Sequence, residues 1–181
     1  MPIRISGAKS IQTLSGLATR PTPSKVRAAI FNIWQWQIRR SHFLDLCSGS
    51  GAMSGEALVK GAYSVVAVEI SRVACNLIHQ NLEKICKPDQ NFEIRCGDVV
   101  KVLAKLKSLE NLKFDLIYFD PPYQSQLYQP VLEDVALLMA PKAVIAVEHS
   151  RDRNLPQTLT NLKALDQRNY GQTTVSFFSK F

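Results

Sequence analysis

The tetrapeptide Asp120-Pro121-Pro122-Tyr123 directly follows an apolar run at 114–119. Its two prolines stiffen the segment and remove two backbone N–H donors. What remains is a rigid set of acceptors, the loop carbonyls and the Asp120 carboxylate. An exocyclic amine on a nucleobase needs such a set. Its lone pair is delocalised into the ring, which makes it a poor nucleophile. Accepting its hydrogen bonds holds the nitrogen in line with an electrophile and shifts electron density onto it. Tyr123 adds a flat ring on which a base can stack.

A second constellation lies upstream. Asp45-Leu46-Cys47-Ser48-Gly49-Ser50-Gly51 ends an apolar run and opens a segment of helical length. The glycines allow a tight turn and close approach of a ligand to the backbone. Glu69 lies 20 residues beyond Gly49, close to the spacing of about 20 at which an acid meets a ribose in dinucleotide folds. A pyrophosphate would be repelled by an acid at position 45, and Ser54 occupies the place where a nicotinamide fold usually has a third glycine. S-adenosylmethionine carries an ammonium and a sulfonium and no phosphate, so Asp45 favours a methyl donor, with its carboxylate near that positive end. Asp98 can accept from the adenine amine, and it can also cap a helix. The cofactor set is Asp45, Gly49, Ser50, Gly51, Glu69, Ile70, Asp98 and Val99.

These loops need a frame that brings them to one cleft. Apolar runs at 43–47, 64–69, 91–96, 114–119 and 142–148 alternate with segments of helical length at 52–60, 72–86, 98–107 and 126–140. That alternation predicts a parallel sheet with helices on both faces, whose ligand crevice lies beyond the strands' carboxyl ends. The tail, 162–170 and 172–180, reads as an antiparallel strand pair at the sheet's end. Residues 1–40 form a short basic arm and a helix starting near Thr22, with Thr22 as cap and Pro23 in the first turn. Val26, Ile30, Ile33, Trp34 and Ile38 recur at helical spacing and face the core, while Lys25, Arg27 and Arg39 point outward. The whole chain, 1–181, reads as one domain, with the core at 41–181.

The 181 residues are 46% hydrophobic and 20% charged, and carry a net charge of +7. Residues 1–44 hold seven basic side chains and no acid; the other 15 basic residues are matched by 15 acids. The excess charge therefore belongs to the N-terminal quarter, the electrostatic footprint of a polyanionic partner. Arg4, Lys9, Arg20, Thr22 and Arg27 are the residues assigned to RNA. Cys47, Cys75, Cys86 and Cys96 form no CxxC pair and read as inert thiols of a reducing compartment. The absence of a signal peptide pattern and of a run of about 20 apolar residues points to the cytoplasm and away from the membrane. His42, His79 and His149 show no metal-ligand spacing, so no metal is expected. His149 ends the fifth run, where it can touch substrate. Trp34 is expected in the core and Trp36 at the surface.

The motifs together resemble the RsmD family of 16S rRNA (guanine-N2) methyltransferases. The resemblance runs nearly end to end, through Arg4-Ile5-Ser6-Gly7, Thr19-Arg20-Pro21-Thr22, Val26-Arg27, Ala29 to Ile33, Leu44 to Ala52, Glu56-Ala57-Leu58, Asp120 to Tyr123 and Tyr170-Gly171. The chain departs from the family pattern at Cys47-Ser48, at Ser54 and at Ala8. The resemblance implies a Rossmann-like α/β fold with a mostly parallel seven-stranded sheet, S-adenosylmethionine as cofactor and Asp120 to Tyr123 as the catalytic loop. It also implies that the loop 19–22 lies near the cleft and that ribosomal RNA, free or in a small-subunit particle, is the partner; the chain is expected to act as a monomer. Three other readings share some of these features: an adenine-N6 DNA methyltransferase, an NAD-dependent oxidoreductase and a catalytically silent RNA-binding module.

Overall fold

Two short strands, β1 (Ile3–Arg4) and β2 (Ser10–Ile11), pair antiparallel as an N-terminal arm. Helix α1 (Ser24–Ile33) follows, and strand and helix then alternate: β3 (His42–Leu46), α2 (Ala52–Val59), β4 (Ser64–Glu69), α3 (Arg72–Glu83), β5 (Asn91–Cys96), α4 (Val99–Lys107), β6 (Phe114–Phe119), α5 (Tyr128–Val135) and β7 (Met139–Ser150). The chain closes with β8 (Thr158–Leu159), β9 (Leu162–Tyr170) and β10 (Thr173–Lys180). The computed structural model describes residues 2–7, 9–13, 24–109, 111–155, 158–159 and 161–181. The cap expected at Thr22 and Pro23 lies outside them.

The sheet runs β5-β4-β3-β6-β7-β10-β9-β8. Its first five strands are parallel, while β10 is antiparallel to both β7 and β9. The seven strands expected are all present, and the two-residue β8 extends the edge. Along the chain, β3, β4 and β5 step outward before β6 returns to the other side of β3. The order therefore reverses between β3 and β6, and this switch point is where an open α/β sheet forms its crevice. Both motif loops leave the sheet there.

Period-two alternation distributes the strand side chains between two cores. Phe43, Val65 and Ala67 pack with Val26 and Ile30 of α1, Met53 and Leu58 of α2, and Ile78 and Leu82 of α3. Leu44, Leu46, Val66 and Val68 face the other way, onto Val102 and Leu103 of α4 and Val131 and Leu132 of α5. Such burial on both faces explains why these strands read as continuous apolar runs. The last strand of the parallel set starts earlier than the sequence suggests, because Met139 pairs with Phe114 across β6 and β7. Trp34 is fully buried and Trp36 is 87% exposed. Among the described residues no helix is long and apolar enough to cross a membrane.

Arg27 corrects the sequence reading. It does not point outward to RNA but is only 3% exposed, with Nε 3.3 Å from Glu56 Oε2 and Nη2 donating to the Arg4 carbonyl at 2.5 Å. Glu56 also accepts from the Ser6 backbone N–H and the Ser6 hydroxyl. One buried carboxylate thus ties the arm and α1 to α2. Arg27 lies one residue from Val26 on the inward stripe of α1, and the acid it meets is 29 positions away in sequence. Removing one partner of a buried pair strands the other charge. Arg27→Ala is therefore expected to lower unfolding free energy by about 3 kcal/mol, measured by urea denaturation. A change within 0.5 kcal/mol, the range of an ordinary surface substitution, would contradict the role assigned to the pair.

Candidate active site

The glycine loop turns sharply where β3 ends. Cys47 (φ 63°), Gly49 (φ 55°) and Gly51 (φ 75°) all adopt left-handed backbone. At Gly51 a Cβ would stand 3.0 Å from Ile78 Cγ2, so the loop rests directly on α3. At Gly49 nothing lies within 4 Å of where a Cβ would be, which leaves the backbone open to a ligand. The loop is held to its neighbour strand by Ser48, whose backbone N–H donates to Val68 O at 3.0 Å. Glu69 spans two loops: Oε2 accepts from Gly49 N and Oε1 from Ser71 N, both at 2.9 Å.

Gly97 N donates to Glu69 O at 2.9 Å, which brings the ends of β4 and β5 together. Asp98 caps α4 through Lys101 N at 3.0 Å, so the capping role foreseen for it is present. Ile70 is 71% exposed beside these acids, an apolar surface of the kind a flat ring can cover. Val99 is different: it is the first residue of α4 and its side chain belongs to the core.

Asp45 also differs from expectation. It is 1% exposed and turned inward, accepting from Ser54 N at 3.1 Å and Ser54 Oγ at 2.5 Å. It therefore anchors the first turn of α2 from behind the loop and does not itself present a carboxylate to the cleft. Ser54, a departure from the family pattern, supplies the partner that draws it in. Burial pushes the Asp45 carboxyl up to about 7. The nearby thiol of Cys47 is pushed up to about 12, first by burial and then by the fields of Glu69, Asp120, Asp45 and Asp98. Glu69, Asp120 and Asp98 thus lie around one loop, with the raised carboxyl of Asp45 buried behind it. Their field favours a cationic ligand and opposes a pyrophosphate.

The second loop starts where the β3–β6 ladder ends, with Asp120 N donating to the carbonyl of Leu46, the last residue of β3, at 3.3 Å. Pro121 is buried and Pro122 exposed. The Pro122 carbonyl accepts from Ser125 N at 2.8 Å, which closes a turn. Tyr123 is half-buried, and its hydroxyl donates to Glu148 Oε1 at 3.0 Å, with Thr173 Oγ1 at 2.8 Å. Burial and the neighbouring Glu148 push this phenol up to about 12. Tyr118 donates to the other oxygen of Glu148 at 2.5 Å. From outside, the Arg153 guanidinium lies 4.5 Å over the Tyr128 ring and donates from Nε to Tyr123 O at 3.1 Å.

Glu148, Arg153 and Asn81 are functional candidates that sequence reasoning missed. Glu148 had a usable signal, since an acid inside a buried apolar strand must be partnered. Asn81 is 3% exposed; its Nδ2 donates to Gln12 O at 2.9 Å and to Ser50 O at 3.3 Å, linking the arm to the glycine loop. Neither it nor Arg153 carries a sequence signature. His149 is no substrate contact. It is fully buried, with Nδ1 bonded to Ser150 O and Nε2 to Ser176 Oγ, both at 2.9 Å, and burial lowers its pKa. On the arm, Arg4 is exposed, while Lys9 is half-buried with Nζ donating to Ile85 O at 3.4 Å. Arg20 and Thr22 lie outside the described residues.

Comparison with known proteins matches residues 3–179 to a family model described as conserved hypothetical protein 95. The Bacillus subtilis protein YlbH, named provisionally as an rRNA methyltransferase, is 30% identical, with 97% of each chain covered. Ribosomal RNA small subunit methyltransferase D of Haemophilus influenzae is 30% identical, covering 86% of this chain and 81% of that protein. Among solved structures, the Escherichia coli methyltransferase candidate yhhF shares the fold with a TM-score of 0.81, at 23% identity and with 99% and 98% of the two chains covered.

The raised Asp45 pKa makes a prediction about stability. Between the ordinary carboxyl value of 3.8 and about 7, the folded state keeps a proton that the unfolded chain releases. The Asp45 contribution is therefore fully present below pH 4 and is lost as pH rises to 7. In Asp45→Asn this fall should disappear, so that the unfolding free energy, measured by urea denaturation from pH 4.5 to 7.5, depends less on pH than in the unmodified protein. Equal slopes would show that Asp45 is not held protonated.

Proposed function

The chain belongs to the RsmD family, whose model bears the description conserved hypothetical protein 95, and from that premise we propose that it transfers a methyl group from S-adenosylmethionine to the exocyclic N2 of a guanine in small-subunit ribosomal RNA. The observation that carries this reading is the Asp120 N to Leu46 O bond. It supports the reading because it sets the start of the acceptor loop beside the end of β3, from which the glycine loop leaves. Relatives that match most of this chain's length bear the name small subunit rRNA methyltransferase D.

The residues present fit the methyl donor. Gly49 leaves open space at its backbone, and the converging carboxylates suit a cation. In this reading Glu69 accepts from ribose hydroxyls, Asp98 from an adenine amine, and Ile70 covers the ring. When bound, S-adenosylmethionine supplies an electrophilic methyl carbon on a positively charged sulfur. The protein's own contribution is positional and electrostatic. Asp120 and the Pro121 carbonyl accept from the guanine amine, orient its nitrogen and shift density onto it. Tyr123, fixed by its hydroxyl, offers an immobile ring edge and face to the base. The proton that the nitrogen sheds as it is methylated goes to Asp120 or to water.

This reading includes a monomeric enzyme acting in the cytoplasm on ribosomal RNA, free or in a small-subunit particle. Exposed Arg4 and the partly exposed Lys9 then contribute to RNA affinity, with Arg20 and Thr22 as further contacts. The basic excess in the first 44 residues supports the RNA contacts.

The assignment of roles separates binding from chemistry. Asp120→Ala is expected to reduce methyl transfer to small-subunit particles by roughly 100-fold or more, while the affinity for S-adenosylmethionine, measured by calorimetry, stays within about twofold. Parallel loss of cofactor affinity would move Asp120 from the amine to the donor and contradict the mechanism.

A further inference from the structure

A second opening lies beside the acceptor loop, at the turn between β9 and β10. Thr173, which approaches the Tyr123 hydroxyl at 2.8 Å, pairs directly with Tyr170 across this hairpin. Facing the turn is the first turn of α1. Between them is a cavity of about 360 Å³ lined by Lys25, Val26, Asn169, Tyr170 and Gly171, within the size range of small-ligand sites.

The lining combines the groups a nucleotide needs. Tyr170 is half-buried, packed against the core on one side, and so presents a ring already fixed in place. Lys25 is exposed and charged. The Oδ1 of Asn169 accepts from the Thr174 hydroxyl at 2.8 Å, which leaves the amide nitrogen of Asn169 as the donor for a ligand. Gly171 has φ 67° and nothing within 4 Å of a would-be Cβ, so the mouth is open on that side. A second cation, exposed Arg151, adjoins the turn through its backbone bond to Gln172 O at 3.0 Å.

We infer that this cavity is a nucleotide subsite, receiving the residue next to the target guanine in the RNA strand, with its base against Tyr170 and its phosphate at Lys25. The inference rests on the proposed methyl transfer to RNA and extends it. A base presented to a recessed loop must leave its stack, and its neighbour is then splayed and available for an aromatic ring. A fixed tyrosine holds any base by its face, while a lysine takes the phosphate without reading sequence. The site thus supplies grip on the strand, and the choice of base stays with the acceptor loop.

The test uses small-subunit particles prepared from cells lacking this gene. Lys25→Ala changes an exposed residue, and Tyr170→Leu keeps apolar bulk while removing the ring. Each is expected to raise KM for particles roughly tenfold, with the S-adenosylmethionine Kd unchanged. Lys25→Ala should also reduce the log–log salt slope of kcat/KM by about one. Unchanged KM in both variants overturns the subsite and leaves the methyltransferase reading standing. A second measurement is independent of turnover. A photocrosslinking benzoylphenylalanine substituted for Tyr170 should label a nucleotide adjoining the modified guanine. A crosslink to a ribosomal protein, or none to the particle, overturns the inference even where methyl transfer proceeds. Absence of both transfer and particle binding in the unmodified protein overturns both readings.

Discussion

Glu148 is a carboxyl group at 3% exposure near the C-terminal end of β7, and the acceptor loop is held by the bonds that satisfy it. A buried charge without donors costs several kcal/mol. Tyr118 and Tyr123 meet that demand with their hydroxyls. Tyr118 lies within β6, while Tyr123 lies beyond its end in the acceptor loop. The energetic need of one acid in β7 thereby fixes the position of the loop after β6. Arg153 closes the same loop from the outside, and Asp120 N fastens its start to β3. The prolines then have little freedom left, and the acceptors they carry are preorganised without the reorganisation that a mobile loop would require.

The glycine loop follows the same logic on the opposite side of the switch point. Glu69 is held by two backbone N–H groups and Asp45 by Ser54, so neither acid is free to swing. The two acids have different environments. Asp45 is buried behind the loop with its carboxyl pushed up to about 7, whereas Glu69 stands at the open edge. The cleft therefore keeps charge where a cationic ligand can meet it and tends towards neutrality underneath. Glu56 repeats the device at the arm, where it draws in Arg27 and Ser6. In each case an acid and its donors set the geometry of a loop, over distances in sequence from two residues, Glu69 to Ser71, to fifty, Glu56 to Ser6.

This pattern explains how much could be read from the chain alone. The strands and both loops are legible because they depend on local signals, namely apolar runs, glycine and proline placement, and spacing along one βαβ unit, whereas the strand order that puts the loops at one switch point is not local. Arg27 misled because helical periodicity identifies the buried face but not the acid that pulls a neighbouring charge inward. Asp45 misled for a related reason: its distance from the glycines suggested a ligand contact, while its actual partner, Ser54, was read only as a missing glycine. Asn81 and Arg153 act through contacts that no short window contains. Glu148 could have been flagged as an acid in a buried run, though its partners could not have been named.

The most direct test of the account is nucleoside mass spectrometry of small-subunit RNA after incubation of gene-deleted particles with this protein and labelled S-adenosylmethionine. The account predicts a single new labelled product, N2-methylguanosine. Label in N6-methyladenosine would keep the donor and the fold but contradict the assignment of the acceptor loop to guanine. No label in RNA, with cofactor binding intact, would contradict the central claim that this cleft methylates a ribosomal base.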